Sequence, residues 1–186
     1  MAWVYREGVQ QSLTEAERNN NAQEFYNIFS AYGCTLESIC GMLGNIQQES
    51  DINPANKQSL DTQSGWGLIQ WTPSTDLTNW ITTYGYSDWK DGDAQCDLIK
   101  AEGEGTMGAG GRWLPTTAYP YSWSEFCQLT DVTKATKAYL YERERAGTPH
   151  VLKRVNYAKD WYEFFTGTPI YRGRPLPLIY MAHRVY

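Results

Sequence analysis

The chain has 186 residues, 41% hydrophobic and 20% charged, enough for one compact domain with a sizeable core and a short appendage, and too apolar for a largely disordered protein. Its 16 Lys and Arg against 21 Asp and Glu leave a net charge of −5, which argues against general electrostatic capture of nucleic acid or of an anionic membrane. No apolar run approaches the roughly 20 residues that cross a bilayer, and no basic segment followed by an apolar stretch opens the chain, so export would be by lysis, a dedicated apparatus or a particle.

In chain order, "TEAERNNNAQEFYNIFSAYG" opens with Thr14 and Glu17 at capping-box spacing and sets Ala22, Phe25, Phe29 and Tyr32 on one face, which predicts a first amphipathic helix ending at Gly33. "TLESICGMLGNIQQES" repeats Leu36, Ile39, Cys40, Leu43 and Ile46 at helical spacing. Its two glycines lower helix propensity but permit close packing, so this is the predicted central, buried helix. From Asp51 to Trp71, Asn, Pro, Ser, Asp and Gly surround short apolar pieces, the pattern of irregular chain with a small hairpin or paired segment ending in "GWGLIQW".

"STDLTNWITTYG", with Leu77, Trp80, Ile81 and Tyr84, predicts another helix, and "DGDAQCDLIKAE" a short one after it. Residues 103–122 carry Gly, Pro and Thr without a period and read as a loop bordering a cleft. "DVTKATKAYLYERERAG" and "HVLKRVNYAKDWYEFF" predict two late helices against the central one, the second with a stripe of Leu152, Val155, Ala158, Trp161 and Phe165. The expected domain is 1–166. Residues 167–186, Pro-interrupted with three Arg and no acid, read as a linker or docking tail.

Glu49, in "GNIQQESDINPANKQ", falls in the last turn of the predicted central helix. The negative end of the helix dipole and partial burial both favour a proton there, the state a general acid needs to protonate a leaving oxygen. A glycosidase ordinarily adds a second carboxylate. Asp51 and Asp61 are the nearby candidates; Asp51 is expected among the substrate-binding residues, with bracing of the turn through backbone N–H groups as its alternative. Asp61, in the loop before "GWGLIQW", is the preferred partner across a cleft, with an Asx turn as its competing role. In "SGWGLIQWTP", Gln70 offers amide donors and an acceptor between Trp66 and Trp71, a combination suited to the C–H faces and acetamido groups of amino sugars. Core packing is the alternative for either ring.

Cys34, Cys40, Cys96 and Cys127 form no CxxC and are compatible with disulfides or with buried thiols. With His150 and His183 the only histidines, no zinc centre and no cofactor is expected. A Cys40–His150 peptidase is disfavoured, because Cys40 lies on the apolar stripe with no placed base.

"CGMLGNIQQESDINP", "GWGLIQWTP" and "AYLYERERAG", in this order and spacing, resemble the phage tail lysozyme family, peptidoglycan-degrading domains of phage tail tips, over residues 22–166. "ES" followed by "GLIQ" is also similar to the Glu-Ser and Gly-Leu-Met-Gln motifs of goose-type lysozymes and lytic transglycosylases. Ile69 replaces the Met, and no counterpart of the transglycosylase Ala-Tyr-Asn motif is evident. The resemblance implies a mainly α (α+β) lysozyme-like fold with a small β-hairpin region beside the cleft.

It further implies that Glu49 is the catalytic acid, that Ser50 supports its carboxylate or a sugar, and that Gln70 lines the cleft from the β side. Tyr141 is the expected hydroxyl reaching the site, with packing as its alternative, and Glu142, Arg143, Glu144 and Arg145 read as solvated helix pairs. The implied activity is hydrolysis of the β-1,4 bond between N-acetylmuramic acid and N-acetylglucosamine, with Asp61 stabilising the oxocarbenium-like state or guiding water. A lytic transglycosylase leaving 1,6-anhydro ends and a non-catalytic wall-binding tail domain are the alternatives. The expected partners are peptidoglycan strands, phage tail proteins and a further C-terminal module. The expected place is a virion tail at the host wall, or the medium after lysis.

Overall fold

The computed structural model describes residues 2–106 and 112–168. In order these form β1 (Gly8–Val9), α1 (Glu15–Ala31), α2 (Leu36–Ser50), β2 (Asn56–Lys57), α3 (Thr75–Thr83), α4 (Gly92–Glu104), α5 (Trp123–Phe126), α6 (Val132–Tyr139), a π-helical turn (Leu140–Glu144) and α7 (Val151–Thr166). The architecture is mainly α with a small β region, as expected. None of these helices is long and apolar enough to cross a membrane.

α1 starts where its capping box predicts. The Thr14 side chain accepts from Glu17 N while Glu17 accepts from Thr14 N. Ala22, Phe25 and Phe29 are fully buried, with the two Phe rings stacked at 4.4 Å; Tyr32 is half-exposed at the C-terminal end.

α2 is the centre of the molecule and is buried nearly all round from Ser38 to Ile46. Its glycines set how closely two other helices approach. A Cβ on Gly41 would stand 2.8 Å from the backbone of Ala135 and Thr136 in α6, and one on Gly44 would stand 2.5 Å from Arg154 O in α7. The low helix propensity of Gly is therefore offset by backbone-to-backbone packing on both sides of α2.

The β region differs from a simple hairpin. β1 pairs with β2 in parallel, Gly8 opposite Asn56 and Val9 opposite Lys57, while single antiparallel bridges join Lys57 to Trp66 and Trp66 to Trp71. A two-residue strand carries no alternation, which is why β1 was not anticipated.

Two further departures lie late in the chain. The helix predicted from Asp131 onward passes into the π-helical turn after Tyr139. In α7, Leu152 is 81% exposed and Arg154 occupies the buried position, where it meets acceptors on α2. All four cysteines are free, buried thiols. The tail predicted from residue 167 falls, from 169 onward and including His183, outside the described residues.

Gly44→Ala gains about 1 kcal/mol of intrinsic helix propensity but forces α2 and α7 apart. The expected outcome in urea denaturation is a net loss of about 2 kcal/mol, the opposite sign to an ordinary Gly→Ala change in a helix.

Candidate active site

The end of α2 is held by an unusual backbone. Asp51 and Ile52 both have φ of 59°, the left-handed region that costs non-glycine residues energy. Side chains from the N-terminal segment and α1 fix this corner. Asp51 accepts from Leu13 N at 2.9 Å and pairs with Arg18, and Asn21 Nδ2 donates to Ile52 O at 2.9 Å. Ser50 is buried, and its hydroxyl donates to Leu68 O at 2.7 Å, tying the helix end to the "GLIQ" turn. Ser50 and Asp51 therefore brace the corner; neither lines the recesses described below.

Glu49 stands just before the corner and lines a recess of 310 Å³ together with Gln10, Asn56, Lys57, Gln58, Gln70 and Thr72. Its carboxylate is 22% exposed and accepts from the Arg154 guanidinium at 2.5 Å. Arg154 is 2% exposed; it also donates to Pro149 O at 2.9 Å and to Asn45 Oδ1 at 3.2 Å. A cation thus stands where the sequence supplied only a helix dipole. Gln70 has φ of 52°, and its amide nitrogen donates to Gly67 O at 2.8 Å and Asn56 O at 3.3 Å. Both amide hydrogens are committed to the backbone, so the carbonyl oxygen is what remains for a ligand.

The other predicted residues do not line this recess. Asp61 is exposed on a turn, accepting from Gln63 N at 2.9 Å in the Asx manner, and lines neither recess. Trp71 is 1% exposed and donates from Nε1 to Glu102 at 3.0 Å, so its ring is core. Trp66 is half-buried against Trp89 at 5.1 Å, with the Lys57 ammonium 4.4 Å from its ring. Tyr141 is 38% exposed, stacks on Tyr119 at 5.5 Å and reaches neither recess. The Cys40 thiol is buried and pushed well up, which leaves no nucleophile for the peptidase reading.

A second recess, of 370 Å³, shares Gln70 and Thr72 with the first and is bounded by Ile69, Trp71, Arg112, Arg143, Glu144 and Arg145. Here the reading of residues 142–145 as solvated pairs fails. The π-helical turn carries Glu142 and Arg143 inward together. Arg143 is buried and donates to Glu102 at 3.0 and 2.5 Å. Glu142 is pushed up to about 7 by burial, with one oxygen lacking a partner. Glu144, with Oε1 sealed and unpartnered, is pushed up to about 8 by burial first and then by the charge of Glu49, against the opposing pull of Arg143 and Arg154. An alternating Glu-Arg run signals surface helix only while the helix keeps its period.

A model described as phage tail lysozyme matches residues 20–165. The chain belongs to the phage tail lysozyme family. It is also 34% identical over 160 residues to morphogenesis protein 1 of Bacillus phage B103, an alignment covering 83% of this chain and 42% of that protein. The chain thus spans less than half the length of this relative. The lysozyme-like fold expected from the motifs is the fold of this family member. The range matched to the phage tail lysozymes begins after β1, so Gln10 joins the Glu49 recess from a segment outside it.

The Glu144 carboxyl gives a pH signature. Its folded-state value, about 8, lies above the model value of 4.5, so between these limits the folded protein binds more protons than the unfolded chain, and stability falls as pH rises. Glu144→Gln removes this dependence. The stability of the variant relative to wild type, measured by denaturant midpoints, is expected to increase from pH 5 to pH 8, by at most about 1.4 kcal/mol per pH unit. Glu142 titrates in both proteins and cancels.

Proposed function

We propose that this phage tail lysozyme cleaves the β-1,4 bond between N-acetylmuramic acid and N-acetylglucosamine in peptidoglycan, with Glu49 as the general acid. The supporting observation is that, among the described residues, Glu49 is the only acid lining a recess otherwise formed by amides, the Thr72 hydroxyl and Lys57 at the end of the central helix, together with Gln70. As the glycosidic bond breaks, the leaving oxygen needs a proton, and negative charge develops on the acid that gives it. Arg154, paired with Glu49 Oε1, holds the side chain in place and stabilises the carboxylate that proton transfer leaves. Oε2 is the oxygen left for substrate.

Among the described residues no second acid lines this recess, and Asp61 is given no step. The amides of Gln10, Gln58 and Gln70 and the Thr72 hydroxyl are the groups available to hold an attacking water. The same observation supports a second reading. A lytic transglycosylase needs one acid that then acts as base while the muramic C6 hydroxyl closes onto C1, and no second carboxylate. We assign hydrolysis as the main course in keeping with the lysozyme family. The setting we propose is a phage tail acting at the host wall, alongside other tail proteins and modules of a longer chain.

Glu49→Gln keeps the shape of the side chain and removes the proton. The expected result is a fall of at least about 10²-fold in the rate of wall clearing with the helical circular dichroism unchanged. Undiminished clearing would remove Glu49 from the mechanism. Mass spectrometry of the digest distinguishes the courses, since anhydro ends lack one water relative to hydrolysed reducing ends. Binding without any new ends would leave only a wall-binding domain.

A further inference from the structure

The second recess holds more positive charge than its acids balance. Arg112, Arg143 and Arg145 all line it. Arg143 is paired with buried Glu102, and Arg112 with Asp76, its Nε also lying 3.5 Å from Glu102. Arg145 has no acidic partner among the described residues, and it leaves the π-helical turn in the left-handed conformation with φ of 47°. The guanidiniums repel one another: Arg112 is held below its ordinary value by burial first and then by Arg143 and Arg145. Glu144, the remaining acid on this wall, keeps its proton up to about pH 8 and so adds a neutral donor instead of a negative charge. Arg145 is exposed at the rim of the recess beside the buried Arg143 and the partly buried Arg112, and an unpaired guanidinium so placed can take an anion.

We infer that this recess is an anion subsite in which Arg145, backed by Arg112 and Arg143, binds a free carboxylate of the peptide stem carried on muramic acid. This rests on the glycan reading of the Glu49 recess. The two recesses share Gln70 and Thr72, and the stem branches from the muramic ring itself, so a strand seated at Glu49 brings the stem's first carboxylates to the neighbouring wall. The planar guanidinium fork matches a carboxylate through two parallel hydrogen bonds. Peptidoglycan is thereby read twice, by its sugar backbone at Glu49 and by its acidic branch at Arg145.

The test titrates the full chain with the disaccharide dipeptide GlcNAc–MurNAc–L-Ala–D-Glu and with the same compound carrying amides in place of both free carboxyls. The wild-type protein is expected to bind the acidic form about 10-fold more tightly, as one charge-assisted contact provides. That preference should shrink with added salt, collapse to near parity in Arg145→Gln, and return in part in Arg145→Lys, with circular dichroism confirming the fold of each variant. Equal binding of the two compounds by wild type, or a preference that survives Arg145→Gln, would overturn the subsite. A glycerol phosphodiester that competes for the recess while the acidic dipeptide does not would overturn the carboxylate assignment in favour of a wall-polymer phosphate. Because the titration requires no turnover, it is separate from the Glu49→Gln rate measurement, and either result can fail without the other.

Discussion

The groove depends on one buried guanidinium. Removing Arg154 from water costs several kcal/mol, and that cost is offset only because acceptors on three sides are already in place: Pro149 O at the start of its own helix, Asn45 Oδ1 one turn back on α2, and Glu49 Oε1 at the end of α2. Arg154 can reach all of them because α7 lies almost against the α2 backbone. The atom nearest a Cβ on Gly44 is Arg154's own carbonyl oxygen. A glycine in the middle of one helix thus sets where the cation of another stands, and that cation sets the orientation of the carboxylate. Glu49 is held by its surroundings rather than by its own helix turn.

The corner after Glu49 shows the same over-determination in the backbone. Two consecutive left-handed residues, Asp51 and Ile52, would not persist in an unsupported loop. They persist because Leu13, Arg18 and Asn21 bind the corner from one side, while Ser50 binds Leu68 O from the other. Leu68 N is in turn held by the buried Gln95 side chain at 2.8 Å. The "ES" and "GLIQ" motifs are therefore two halves of one joint, in direct contact though 18 residues apart. Strain at the joint lets the chain leave α2 abruptly and return beneath Glu49, which creates the recess.

What could be read from the sequence follows from which features are local. Caps and helical stripes placed α1 and α2 because Thr14, Glu17 and the spacing of Ile39, Leu43 and Ile46 act within a few residues. Glu49 and Gln70 were legible as site candidates because the end of a helix and a glycine-flanked amide are also local facts. Arg154 was not, since nothing in "HVLKRVNYAKDW" says that an Arg displaces Leu152 from the buried face; that is decided by acceptors on α2. Glu144 was missed for a related reason. The shift from α- to π-helical geometry after Tyr139 changes which side chains face inward, and no periodicity rule applied to "YLYERERAG" contains it. The same loss of register leaves Tyr141 stacked on Tyr119 at the surface.

The net charge of −5 describes the whole surface and conceals the contrast inside the groove. Around Glu49 the wall is mostly amide and hydroxyl, with Lys57 its one cation among the described residues; around Arg145 it is cationic. Glu144 lines the Arg145 recess and also feels the charge of Glu49. Burial and that charge oppose its ionisation, against the pull of Arg143 and Arg154. A proton kept on this acid limits the negative charge set against Glu49. In the proposed mechanism, a rise in pH past about 8 would weaken the carboxylate subsite and alter the acid's surroundings together. The π-helical turn carries this carboxyl within electrostatic reach of Glu49 and Arg154 while it lines the Arg145 recess.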